Sequence, residues 1–218
     1  MVTIKSLEKN LTYAEKAFHA LKRMIMLGQL PSDSIINERE LSEQLGISRT
    51  PLRDALQLLE AKGWVTKDGK SRRITSIDLT GLESDLQIRR VLETLSIELM
   101  MDKLSDDDLD MMTEYVDAME NADIDYVAFL ELDQQFHTYL AKISANVKLY
   151  ALLDDSCEQI LRYCIASLRN SVQRRKEVQH DHRKMLELLN KRDKQGYLDF
   201  IKKHLTNISM VLENSKIV

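Results

Sequence analysis

Four residues from three separate stretches could share one piece of chemistry. In "FLELDQQFHTYLAKI", Asp133 and His137 stand one helical turn apart, on the face that Phe129, Leu130, Leu140 and Ile143 mark as apolar. A carboxylate on such a face is expensive to bury alone, so it must be paired or bound to a cation. His182 falls in line with Met185, Leu186 and Leu189, and His204 with Phe200, Ile201 and Ile208, so two more histidines point inward from two other helices. Three imidazole nitrogens and one carboxylate oxygen suit zinc, nickel, manganese or iron, with remaining positions open to water or a ligand carboxylate. Taken singly, each histidine is better explained as a core residue satisfied by ordinary hydrogen bonds. His180 is two residues before His182, roughly 200° around the helix, among Lys176, Glu177 and Lys184, and is expected to be exposed.

A second chemistry lies in "ISRTPLRDALQLLEAKGWV", residues 47–65. Ser48 is a helix-capping type, Pro51 fits a first turn, and Gly63 suits a helix end. Leu52, Ala55, Leu56 and Leu59 form one apolar stripe and leave Arg49, Thr50, Arg53 and Gln57 on another face. A basic, hydrogen-bonding face at a helix start suits guanine edges and phosphates.

The elements that must position these groups divide the 218-residue chain in two. Residues 1–75 carry 13 Lys and Arg against 9 Asp and Glu, whereas the remainder carries 18 against 26, so only the first part attracts a polyanion. Both prolines and five of the six glycines precede residue 82, which leaves long helices as the reading of everything after it. Helical periodicity there predicts segments near 79–103, 105–121, 124–143, 147–169, 174–191 and 194–213. The first part predicts three helices, "YAEKAFHALKRMIMLG", "NERELSEQLG" and the stretch above, then a hairpin in "WVTKDGKSRRITSI" turning at Asp68-Gly69. Three helices and a basic hairpin predict a winged helix-turn-helix, with Lys67, Lys70, Arg72 and Arg73 tracking the DNA backbone. The expected fold is mainly α, with a winged helix-turn-helix domain over 1–77 and an all-α antiparallel helical bundle over 78–218. Cys157 and Cys164, seven apart on one helix, are too far apart to pair within it and read as reduced core residues. No signal peptide or membrane span is indicated, so a cytoplasmic protein is expected.

At "ERELSEQLGISRTPLRDALQLLEAKGWVTKDGK" the sequence resembles the winged-helix domain of the GntR family of bacterial transcription regulators. The resemblance implies binding of double-stranded operator DNA by a homodimer, with Arg39, Arg49, Thr50, Arg53, Gly69 and Lys70 at the DNA. The second half is similar to the effector-binding FCD-type domain of the FadR subgroup, through "IRRVLETLSIELM", "DQQFHTYLAKISANVKLYALL" and "DHRKMLELLNKRD" with "FIKKHL". With that pattern matching each of Asp133, His137, His182 and His204, a divalent metal ion becomes the expectation, zinc first, with nickel, manganese or iron as alternatives. Two departures stand out. Asp181 replaces a usual glutamate and Ala145 a usual glycine, and neither is expected to touch a ligand.

Arg89 precedes Glu93 by one turn, which by itself suggests a solvated ion pair. The resemblance offers the other reading, Arg89 facing the bundle cavity and meeting a small carboxylate effector. The expected function is a ligand-responsive transcription regulator whose metal-containing sensor domain binds a small organic acid. A regulator sensing the metal itself and a metal-dependent hydrolase are the competitors.

Overall fold

The computed structural model describes residues 11–76, 79–169 and 171–214. The chain divides into two compact units, Met1–Ser76 and Ile77–Val218.

In the first unit, helix α1 (Tyr13–Met26) begins with a reciprocal cap: the Thr12 hydroxyl accepts from the Glu15 amide while the Glu15 carboxylate accepts from the Thr12 amide. Helix α2 (Glu38–Leu45) is capped by the Asn37 side chain and ends at Gly46, whose φ of +64° makes the sharp bend into the next helix. Helix α3 (Arg49–Ala61) buries Leu52, Ala55, Leu56 and Leu59, the stripe read from the sequence, against α1 and α2. Ser48 occupies the N-cap position, yet its hydroxyl makes no capping bond. Strands β1 (Val65–Asp68) and β2 (Ser71–Ile74) pair antiparallel with Asp68 opposite Ser71. The turn is therefore Gly69-Lys70, one residue later than expected, and Gly69 at φ +61° fills the first central place that a type II′ hairpin reserves for glycine. Trp64, Val65 and Ile74 seal the wing onto the helical core.

The second unit is a helical bundle: α4 (Leu82–Met100), α5 (Asp106–Met119), α6 (Tyr126–Ile143), α7 (Val147–Arg169), α8 (Val172–Asn190) and α9 (Lys194–Asn214). Helix α4 packs against α6, α7 and α9, and α8 against α5, α7 and α9, so the faces of α4, α6, α8 and α9 converge on one interior. Phe129, Phe136, Leu86, Ile97, Met185, Tyr197 and Ile201 fill it.

The α6–α7 corner carries one local conflict. Ala145 sits at φ +60°, a conformation that an L side chain enters at a cost of about 1 kcal/mol. The corner persists because Asn146 caps α7 through Leu149 N, 3.1 Å, and the Ser144 hydroxyl accepts from Asn146 N, also 3.1 Å. Ala145→Gly is expected to raise stability by about 0.5–1 kcal/mol, less than the full strain because glycine also loosens the unfolded chain. A denaturation midpoint that moves down on this change would overturn the assignment of strain.

Candidate functional site

The four expected ligands arrive on three helices. Asp133 and His137 come from the buried face of α6, His182 from α8 and His204 from α9, and the three histidines are at most 2% exposed. Donor atoms of Asp133, His137 and His182 all lie within 4.8 Å of one another. His204 stands beside that trio but outside it, its ring centre 5.6 Å from that of His137 and 5.5 Å from that of His182. His180 is exposed, as its place on the helix predicts.

Each histidine has a fixed hydrogen-bond partner on the nitrogen away from the cluster. His137 Nδ1 is 2.9 Å from Glu93 Oε2, His182 Nδ1 is 2.8 Å from the Val178 carbonyl, and His204 Nδ1 is 2.9 Å from Asp181 Oδ2. Glu93 and Asp181 are carboxylates and Val178 offers a carbonyl, so all three act as acceptors, and a neutral ring must place its proton on Nδ1. The lone pair is then on Nε2 in all three cases, the tautomer a metal ligand requires. His137 Nε2 and His182 Nε2 are buried with no hydrogen-bond partner among the described residues. His182 Nε2 comes within 3.2 Å of Asp133 Oδ1 without the alignment of a hydrogen bond. Buried lone pairs gathered beside a carboxylate fit a divalent cation.

Electrostatics agree with that fit. Burial pushes the Asp133 carboxyl upward, but the His182 and His137 rings and the Arg89 guanidinium outweigh it and hold the group far below the ordinary carboxylate range. Burial lowers His137 to about 4 against the pull of Glu93, and lowers His204 against the pull of Asp181. Both rings are thus neutral and ready to coordinate at pH 7. His137 binds its proton more readily when unfolded, near 6.5, than when folded, near 4. Metal-free stability is therefore full above pH 6.5 and falls as the pH drops toward 4, by on the order of 3 kcal/mol from this group at about 1.4 kcal/mol per unit. Urea titrations of chelator-treated protein between pH 7 and pH 4.5 check it; a flat midpoint would mean that His137 is not buried as a neutral ring.

Two sequence readings change here. Asp181 does touch one of the expected ligands, since its shorter side chain still reaches His204 Nδ1. Arg89 and Glu93 are not a solvated pair: they are 2% and 0% exposed, with Arg89 Nε 2.6 Å from Glu93 Oε1. Glu93 thereby joins Arg89 to His137, and His137 and Arg89 outweigh burial to hold its carboxyl at about 2. Sequence reasoning passed over Glu93, although it lies in register with Leu86, Ile97 and Met100, the signal that singled out Asp133. Arg89 Nη2 and the Tyr197 hydroxyl are also buried without partners among the described residues, so polar atoms beyond the histidines face the same interior. Cys157 and Cys164 form no disulfide among the described residues, and burial pushes both up to about 12, which leaves them as thiols at pH 7.

In the winged domain Arg49, Thr50 and Arg53 are exposed on α3, Arg39 is exposed on α2, and Gly69 and Lys70 are exposed at the wing tip. Arg39 lies 3.6 Å from Glu43 across one turn. Arg53 Nε donates to Glu38 Oε2 at 2.8 Å, a bond that uses neither terminal amino group of its guanidinium. Arg72 is bound inward instead of tracking DNA: its Nη1 is 3.0 Å from Glu38 Oε1 and its Nε 3.3 Å from Glu60 Oε2. Arg73 is likewise tied to Asp68 at 2.7 Å and to the Asp33 carbonyl. Of the wing cations, Lys67 and Lys70 remain exposed, Lys67 with Glu60 at 3.7 Å.

A winged helix-turn-helix domain followed by a helical domain with a polar interior belongs to a class that the family matches define, the DNA-binding transcription regulators. Residues 13–73 match the bacterial regulatory proteins of the gntR family and residues 85–207 match the FCD domain, and the chain belongs to this FCD-containing gntR family. It is 27% identical to an uncharacterized HTH-type transcriptional regulator of Bacillus subtilis, YdhC, over 96% of this chain and 97% of that one. It is 24% identical to the Glc operon transcriptional activator of Escherichia coli over 77% of this chain and 76% of that protein. Among solved structures, E. coli McbR/YncC superposes with a TM-score of 0.77 at 19% identity, covering 94% of this chain and 99% of that one. The matched families and relatives are transcription regulators, not enzymes. No helix among the described residues is long and apolar enough to cross a membrane.

Proposed function

We propose that this transcription regulator reads operator DNA as a homodimer through Arg39, Arg49, Thr50, Arg53, Gly69 and Lys70. In the same reading its FCD domain holds a divalent ion through Asp133, His137, His182 and His204, zinc before nickel, manganese or iron. A small organic acid then modulates operator binding by placing a carboxylate on the ion and on Arg89. The observation that carries the sensor reading is the common tautomer of the three histidines, each Nδ1 committed to an acceptor and each Nε2 left to coordinate. The ion supplies a Lewis-acidic anchor for an anion; Arg89, with a buried amino group lacking a partner among the described residues, supplies the second. Glu93 orients both His137 and Arg89.

Support for the dimer comes from α4, where Ile88, Val91, Leu95 and Leu99 form a stripe 37–68% exposed at helical spacing. Sedimentation as a monomer at micromolar concentration would refute it. For the DNA reading, Arg49→Ala and Arg53→Ala are each expected to weaken operator binding with the fold intact, since neither side chain packs in the core. A lost bidentate base contact costs about 1–3 kcal/mol, and a lost phosphate contact lowers the salt slope by about one. Unchanged affinity in both variants removes α3 from the groove. Metal retained stoichiometrically through purification supports an ion that anchors an effector; an ion lost on desalting favours a sensor of the metal itself.

A further inference from the structure

A small cavity beside Asp133 and an open groove on the bundle have one lining residue in common, Arg174. The inner cavity, about 20 Å³, is lined by Leu130, Leu168, Val178 and Ile208 together with Asp133 and Arg174. The open groove, about 370 Å³, is lined by Arg174 again, with Gln173, Lys176, Glu177, Asp181 and Asn207. Arg174 is 8% exposed, and its Nη1 lies 3.1 Å from Glu177 Oε2, a carboxylate whose side chain is 48% exposed. The inner cavity holds about one water molecule. A larger ligand fits beside Asp133 only if this cavity widens, and Arg174 is the charged side chain that lines both the cavity and the groove.

We propose that Arg174 is a second anion anchor and that the effector is a short dicarboxylate, one carboxylate held near Asp133 and Arg89 and the other taken by Arg174 in exchange for Glu177. This rests on the effector reading above and goes beyond it in naming a charge at each end of the ligand. The apolar residues between Asp133 and Arg174 suit a methylene body. Glu177 is a fitting partner to displace: it is half in water, so releasing it costs little, whereas Arg174 without any anion would be a mostly buried charge. A monocarboxylate leaves that exchange unmade.

The test uses the zinc-loaded full chain and two pairs of acids matched in length, succinate with butanoate and glutarate with pentanoate, titrated by calorimetry. Wild type is expected to bind at least one diacid ten times or more tighter than its monoacid partner. Arg174→Gln is expected to erase that preference while binding monoacids within about twofold of wild type, and Arg174→Lys to keep part of it. Glu177→Gln, which removes the competing charge, should tighten the diacid a few-fold. Monoacids bound with no preference for diacids, or an unchanged preference in Arg174→Gln, overturns the assignment and leaves the effector reading standing. Failure of all four acids to bind overturns both.

Discussion

His182→Ala is expected to abolish metal binding and effector response together while operator binding persists. The ring supplies one of the unsatisfied Nε2 lone pairs and belongs to the tightest trio of donors, so its removal leaves two clustered ligands where three stood. Changing a residue that merely orients a ligand costs about 10–100-fold in metal affinity, and losing the ligand itself should exceed that. Elemental analysis of the purified variant is expected to fall from one ion per chain to background. Operator binding serves as the control, because the residues proposed to contact DNA lie in the other unit. Asp181→Ala supplies the graded comparison: it removes only the acceptor on His204 Nδ1 and should weaken the ion without abolishing it. A His182 variant that lost its ion yet released DNA with the wild-type effector dose-response would make the metal purely structural.

Glu93→Ala is expected to be the most destabilising single change in the bundle. It strands the Arg89 guanidinium and the His137 Nδ1–H in an interior where both now bond one carboxylate, 2.6 and 2.9 Å away. Removing one member of a buried ion pair costs about 3–5 kcal/mol, much of it the penalty of the orphaned charge. For a chain of this size that lowers the melting temperature by on the order of 10 °C. Arg89→Met combined with Glu93→Met should cost less than Glu93→Ala alone, since the Arg89 charge is removed together with its partner and only the His137 Nδ1–H loses its acceptor in both. Equal losses in the two variants would show that the pair is not energetically coupled.

Much of this architecture was legible because the signals were local. The stripe of α3, the glycines at 46 and 63, and the proline-free second half follow from propensity and periodicity, and the helices lie within a few residues of their predicted spans. Asp133, His137, His182 and His204 were legible for the same reason, each being a polar residue in register with an apolar face. What escaped was pairing across elements. Glu38 binds Arg72 from 34 residues away, and Glu93 binds His137 from 44 away; neither spacing leaves a mark on a single helix. Asp181 escaped because its difference from glutamate was weighed as a substitution rather than as an acceptor for a ring 23 residues later. The hairpin register slipped by one because Asp-Gly suits the centre of a type I′ turn, whereas here Asp68 ends the strand and Gly69 opens a type II′ turn.

Glu38 gives the winged domain a property that no single arginine would. One oxygen of its carboxylate receives Arg53 from α3 and the other receives Arg72 from the wing, so the helix and the hairpin are spaced by a shared peg. Side-chain freedom that Arg53 would otherwise surrender on meeting DNA is partly surrendered when the domain folds, and its two terminal amino groups are presented from a held stem. The consequence concerns how such a regulator changes its target over evolutionary time. Substitutions at Arg53 or in the wing are not independent, because each alters the load on the same carboxylate. If these arginines read the operator as proposed, new operators are expected to be reached more readily by changing Arg49 or Thr50, which stand outside that tether, than by changing the residues it joins.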